Sequence, residues 1–272
     1  LRGGKALSHI YNLALSGSCL RENVEIIDCH AHMGPHGEFH IPRNTPEWMI
    51  KIMDRIGVSK AAISHCISLE SDFKVGNAIV YEAIKKFPNR FIGYAVLNPH
   101  YPEEIEEELE RCFKHYGMKA IKFHQSLHQI KYPSDFERYR LVLEYAESNN
   151  LTMLCHGFPL PKKIEEAARE YRNVNFIIAH CGSWNMREES EALSAAKHVP
   201  NVYVDSSGSI EWYGAFEKVV DKVGSDKILF GSDFPWCNLA FMIGRILFAR
   251  IPDEDKRKIL GLNAKKLYKI NS

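Results

Sequence analysis

The chain has 272 residues, 45% of them apolar and 25% charged, an ordinary globular balance. That excludes a disordered chain, a collagenous chain and a small disulfide scaffold. Lysine plus arginine is 35 and aspartate plus glutamate is 34, a formal charge of +1, so no electrostatic reason exists to expect nucleic acid or an anionic membrane as partner.

No apolar run approaches the roughly 18 residues of a transmembrane helix. Seven widely spaced cysteines without a C-x-x-C argue against a disulfide framework and a cysteine zinc site, and a reducing cytoplasm is the simplest home. Residues 1–23 read as an N-terminal extension. Arg2 and Lys5 precede a weakly apolar stretch that His9 and Asn12 interrupt, which favours a packing segment over a secretory signal.

From residue 24 onward, strand and helix patterns alternate. Residues 24–30 form the first strand signal. Thr45-Pro46-Glu47 then starts a helix, with cap, proline and acidic first turn in order. Its apolar stripe is Trp48, Met49, Ile52, Met53 and Ile56. Residues 60–66 give the second strand and 78–87 a helix that Pro88 ends. Residues 91–97 give the third strand. The next helix opens at Pro102, carries the stripe Ile105, Leu109, Cys112, Phe113 and Tyr116, and ends at Gly117.

Residues 118–124, 151–156, 174–180, 202–205 and 227–230 read as strands four to eight. Helices follow over 136–149, 164–171, 187–198, from Trp212 to Val223, and over 239–250. Residues 253–268 close the chain in helical turns. Eight strand–helix units in strict alternation predict a parallel sheet covered by helices. In about 245 residues they predict a closed (β/α)8 TIM barrel over 24–272, with a doubly wound open sheet as the rival.

The polar residues gather at strand ends. The first strand carries Asp28, His30 and His32; the fourth Lys122 and His124; the fifth His156; the sixth His180; the eighth Asp233. In a barrel these ends share one mouth, where catalytic groups collect. His30 and His32 are two apart and can point inward together. Asp28 shares their parity and is expected deeper on the same face. Three neutral imidazoles (His30, His32, His156) and the Asp233 carboxylate suit one divalent metal, zinc by preference, with an open position for water.

This ordered set resembles the amidohydrolase superfamily, and more narrowly the amidohydrolase-related branch of metal-dependent hydrolases and non-oxidative decarboxylases. The resemblance runs over about residues 24–268. It rests on His30-x-His32, Lys122-Phe123-His124, His156, His180-Cys181-Gly182, Gly231-Ser232-Asp233-Phe234-Pro235 and Asn263-Ala264. It implies metal ligation by His30, His32, His156 and Asp233, and an acid/base role for His180. Asp233 can also take a proton from the attacking water. The branch usually runs on one metal, and a homodimer is a mild expectation from the same resemblance.

Lys122 is ambiguous. It can be carboxylated to bridge two metals, or stay charged and face Asp28 or a substrate carboxylate. Lys122, His124, Trp184 and Trp236 are the expected substrate contacts, and Phe158 and Trp212 are further candidates for the pocket wall. His65, His100 and His128 lie at or after strand ends, whereas His36 and His40 sit in a loop expected to face solvent. Cys29 and Cys181 read as buried core thiols. Residues 206–209 read as a small-residue turn.

The leading expectation is a hydrolase that uses metal-activated water against an amide, ester or lactone of a small carbonyl- or carboxylate-containing molecule. The alternative is a metal-dependent non-oxidative decarboxylase acting on a small carboxylic acid. A metal-bound scaffold without catalysis is a third reading, and the complete ligand set with His180 argues against it.

Overall fold

A computed structural model describes residues 9–16, 24–38, 40–129, 136–156, 161–182, 186–208 and 214–270. Runs of β-branched and small apolar residues form eight strands: β1 (Ile26–Met33), β2 (Val58–His65), β3 (Phe91–Val96), β4 (Ala120–Phe123), β5 (Thr152–Cys155), β6 (Asn175–Ile178), β7 (Val202–Asp205) and β8 (Ile228–Leu229). They pair in chain order, every register parallel. The backbone just after β8 returns to β1: Cys29 N donates to Phe230 O at 2.8 Å, Asp233 N to His30 O at 2.7 Å, and His32 N to Phe234 O at 2.7 Å. These bonds bring the eighth strand's end against the first. The protein is therefore a (β/α)8 barrel.

Helices take the outer ring: α1 (His9–Ser16), α2 (Pro46–Ile56), α3 (Cys66–Glu70), α4 (Phe73–Lys86), α5 (Pro102–Glu110) and α6 (Arg140–Ser148). They continue as α7 (Pro161–Glu170), α8 (Met186–His198), α9 (Ala215–Val223), α10 (Leu239–Leu247), α11 (Asp253–Arg257) and α12 (Asn263–Leu267). Thr45 caps α2 by accepting from Trp48 N, and Gly57 ends it in the left-handed region. The helix from Pro102 keeps its predicted stripe, but its last turn is a π-helical one, Arg111–His115. α9 starts at Ala215, and Trp212 lies outside the described residues. Within the N-terminal extension, Ile10 of α1 is buried and its amide points to the Asp253 carboxylate. No helix among the described residues is long and apolar enough to cross a membrane.

Alternation along the strands separates two cores. Ile27, Cys29, Ala62, Ile92, Tyr94, Ala120, Leu154, Ile177 and Leu229 fill the barrel interior. Their neighbours in sequence pack outward against the helices. β1 breaks this alternation. Asp28 pairs with Ala61 but Ala31 pairs with Ile63, so β1 spends one extra residue there. This is a β-bulge, and it reverses the parity of everything beyond it. Ile26 faces the helices before the bulge; Ala31 and Met33 face them after it. His30 and His32 thereby point into the mouth. Asp28 does not share their face, contrary to the alternation expected from sequence, and the bulge is the reason.

Five strands, β3, β4, β5, β6 and β8, are shorter than their sequence signals. β5 stops at Cys155 and β6 at Ile178, before His156 and His180. His156 N still donates to Phe123 O at 2.9 Å, whereas the backbone at His180 turns away with φ 57°.

A buried polar bracket ties α4 and α5 to β3. Asn77 donates to Val96 O at 2.9 Å and to Glu108 Oε1 at 2.7 Å, and accepts from Val96 N at 3.0 Å. Asn77→Ala removes a partner from Val96 N, Val96 O and Glu108 Oε1, of which Glu108 keeps Cys112 and Arg111. It is expected to lower stability by about 2–3 kcal/mol while leaving the mouth intact, as denaturant unfolding would measure.

Candidate metal centre

Three potential ligand atoms converge at the mouth. His30 Nε2 lies 3.1 Å from His32 Nε2. Asp233 Oδ1 lies 3.4 Å from His30 Nε2 and 3.2 Å from His32 Nε2. All three residues are buried, and Asp233 Oδ1 meets no donor in hydrogen-bonding geometry. The far side of each ring is held: His30 Nδ1 by Asp205 Oδ2 at 2.8 Å and His32 Nδ1 by Ser64 Oγ at 3.2 Å. An orphaned carboxylate oxygen facing two imidazole nitrogens is the donor chemistry of a divalent cation site. The residues present fit such an ion.

The remaining predicted residues surround this trio. The His156 ring stacks on His124 at 3.9 Å between centroids and meets His180 edge-on at 4.9 Å. His180 in turn lies 5.0 Å from the His30 ring. His156 is thus in the ring cluster, but its ligand atoms are not part of the tight convergence of His30, His32 and Asp233. His124 Nδ1 accepts from Leu127 N at 3.3 Å, which ties it into the turn after β4. Trp236 lies flat on His32, 3.9 Å between centroids and 2° from parallel. Trp184 and Phe158 lie outside the described residues.

Lys122 reaches furthest in. It is 1% exposed, and its Nζ is 2.6 Å from His30 Nε2. Burial pulls its pKa down to about 8, against the pull of Asp233 and Asp205. Its carboxylate neighbours are those two, not Asp28. Asp28 is satisfied between β1 and the segment after β8, accepting from His30 N and Ser232 N at 3.0 Å each and from the Ser232 hydroxyl. Burial pushes Asp28 up to about 7, against those hydrogen bonds.

The site's charge pattern suits cation binding. Burial drives His32 down to about 3, partly opposed by Asp233, and drives His156 and His124 well below the ordinary histidine range. These rings are neutral, as metal ligation requires. Burial alone would raise Asp233, yet His30, the His32 contact and His180 hold it well below the usual carboxylate range. The site therefore keeps an ionised carboxylate facing the His30 and His32 rings.

Backbone strain concentrates here. Six described non-glycine residues have positive φ, and three of them are His180 (57°), Cys181 (51°) and Asp233 (62°). Such conformations persist where surrounding contacts over-determine them. Asp205 supplies several of those contacts: it accepts from His180 N at 3.0 Å, and its carbonyl accepts from Cys181 Sγ at 3.1 Å. Asp205 and Ser207 carry no role in the sequence reading. The available signal was position, since Asp205 ends β7 as the site residues end theirs. His36 also departs from expectation. Its side chain is 3% exposed, 3.1 Å from Glu70, and edge-on to Trp236, because Glu70 and Trp236 fold the loop inward.

Two outcomes follow from this geometry. Adding Mn2+ or Zn2+ at about 100 times its dissociation constant should raise the unfolding free energy by about 3 kcal/mol, an effect lost in His32→Ala. A Cβ on Gly231 would stand 3.0 Å from both His30 Cβ and Asp205 Cγ, so Gly231→Ala should weaken metal binding about tenfold. Denaturant unfolding reads the first and calorimetric titration the second.

The amidohydrolase family profile matches residues 27–270. A gamma-resorcylate decarboxylase from Polaromonas sp. JS666 is 21% identical over 285 aligned positions, covering 82% of this chain and 86% of that protein. The structure of a dihydroxybenzoic acid decarboxylase from the same Polaromonas strain, with bound manganese and the inhibitor 2-nitroresorcinol, superposes with a TM-score of 0.73 at 18% identity, covering 92% of this chain and 98% of that one. A 5-carboxyvanillate decarboxylase from Sphingomonas paucimobilis superposes with a TM-score of 0.69 at 14% identity, covering 92% of this chain and 100% of that one. The chain is an enzyme of the amidohydrolase family.

Proposed function

We propose that the protein is a metal-dependent, non-oxidative decarboxylase of a hydroxylated aromatic carboxylic acid. The observation that carries the reading is the buried convergence of His30, His32 and the orphaned Asp233 Oδ1 beside His180. The choice of reaction follows the relatives, whose names are those of decarboxylases of hydroxybenzoic acids. Hydrolysis, the leading expectation from sequence, has less support than its alternative.

The overall change replaces a carboxylate by a proton on a ring carbon. The carbon–carbon bond breaks, its electron pair stays on the ring, and carbon dioxide leaves. A divalent ion held by His30, His32 and Asp233, with His156 adjacent, supplies Lewis-acid charge for the anionic oxygens of the substrate. Manganese, as bound in the Polaromonas structure, is the first ion to test, with zinc beside it.

The chain's own groups do the rest. His180 is the proton carrier: the nitrogen opposite its Ser207 contact takes a proton from solvent and delivers it to the ring carbon. Lys122, relieved of His30 once that nitrogen is ligated, is the buried cation that receives the substrate's carboxylate. Trp236 and His124 present flat faces suited to an aromatic ring.

The test is turnover of 2,6-dihydroxybenzoate and 5-carboxyvanillate by manganese-loaded protein in deuterated water. The expected products are carbon dioxide and a phenol carrying one deuterium at the vacated carbon. His180→Asn should slow this about 10²–10⁴-fold. Hydrolysis of an ester, lactone or amide, with no carbon dioxide from any hydroxybenzoate, would overturn the reading.

A further inference from the structure

Behind the ligand trio, one buried carboxylate touches both functional histidines. Asp205 is fully buried. Its Oδ2 takes His30 Nδ1 at 2.8 Å. Its Oδ1 accepts from His180 N at 3.0 Å, from Ser207 N at 2.8 Å and from the Ser207 hydroxyl. The same hydroxyl lies 2.9 Å from His180 Nδ1 and 3.1 Å from His30 Nδ1.

Counting protons orders this cluster. A serine hydroxyl carries one proton, and the carboxylate is its strongest acceptor. Ser207 therefore donates to Asp205, and its oxygen is left to accept. The group facing it, His180 Nδ1, must then carry a hydrogen. His30 Nδ1 must likewise carry a hydrogen to bond Asp205 Oδ2. Both rings are thereby fixed as the Nδ1–H tautomer, with the Nε2 lone pair as the working end of each.

We infer that Asp205 and Ser207 form one positioning unit on β7 that sets the tautomers of His30 and His180 together, directly for the first and through Ser207 for the second. A carboxylate behind a ligating imidazole is a recognised way to orient a metal site. The new element is that the carboxylate shared here also orients the ring on the proton-transfer side. It ties the readiness of the metal ligand to that of the proton carrier. Asp205 also holds the strained backbone that presents His180, through the His180 amide. The catalytic meaning of His180 rests on the decarboxylase reading above; the tautomer assignment does not.

The test therefore contains no substrate. Long-range 1H–15N spectra of histidine-labelled, metal-free protein should show Nδ1–H tautomers for His30 and His180. In Ser207→Ala, His180 should lose that single tautomer while His30 keeps it. In Asp205→Asn, Mn2+ affinity read by calorimetry should fall about 10–100-fold, with Ser207→Ala close to wild type. An Nε2–H tautomer at either ring in the unsubstituted protein would overturn the inference. So would an Mn2+ affinity of folded Asp205→Asn within about twofold of wild type. If Asp205→Asn does not fold, the wild-type and Ser207→Ala spectra decide alone. Failure of carbon dioxide release with the tautomers confirmed would count against the decarboxylase reading only.

Discussion

Three buried potential ligand atoms facing one another, His30 Nε2, His32 Nε2 and Asp233 Oδ1, are the constraint on which the rest of this protein depends. An ionised carboxylate out of water and unpaired costs about 3–5 kcal/mol. Such a cluster persists only if the surrounding fold holds it and a cation completes it. Lys122 brings an ammonium to its edge, while the donor set itself is that of a divalent metal.

The fold holds the cluster with parts that are unusual one by one. A bulge in β1 reverses side-chain parity so that His30 and His32 both enter the mouth. Left-handed backbone at His180 and Asp233 aims residues just beyond their strands. Gly231 lets the segment after β8 pass against His30 and Asp205. Ser64 and Asp205 grip the two rings from behind. The bulge and the left-handed residues cost local stability, and the large barrel and helix cores offset that cost. Function and strain coincide here, as expected where a site is held ready before its ligand arrives.

Much of this was legible in the sequence, because barrel geometry turns a one-dimensional rule into a three-dimensional one. Polar residues at the ends of predicted strands identified His30, His32, His124, His156, His180 and Asp233. The structure sets all six around one mouth, with only His30, His32 and Asp233 in tight convergence. The bulge was not legible, since nothing in Ile27-Asp28-Cys29-His30 departs from plain alternation, and Asp28 was placed on the wrong face for that reason. Asp205 was overlooked because a carboxylate ending a short strand looks like any other. His36 was read as solvent-facing because its glycine- and proline-bearing loop hides the partners, Glu70 and Trp236, that bury it. Reaction type was the least legible: the same ligands serve hydrolysis and decarboxylation, and the preference for decarboxylation comes from the relatives.

The most direct test of the metal centre is anomalous X-ray diffraction at the manganese edge on crystals of the manganese-loaded protein. The account predicts a single strong peak bonded to His30 Nε2, His32 Nε2 and Asp233 Oδ1, with the Lys122 ammonium moved off His30. No peak at that position, with Lys122 still on His30 at saturating manganese, would contradict it.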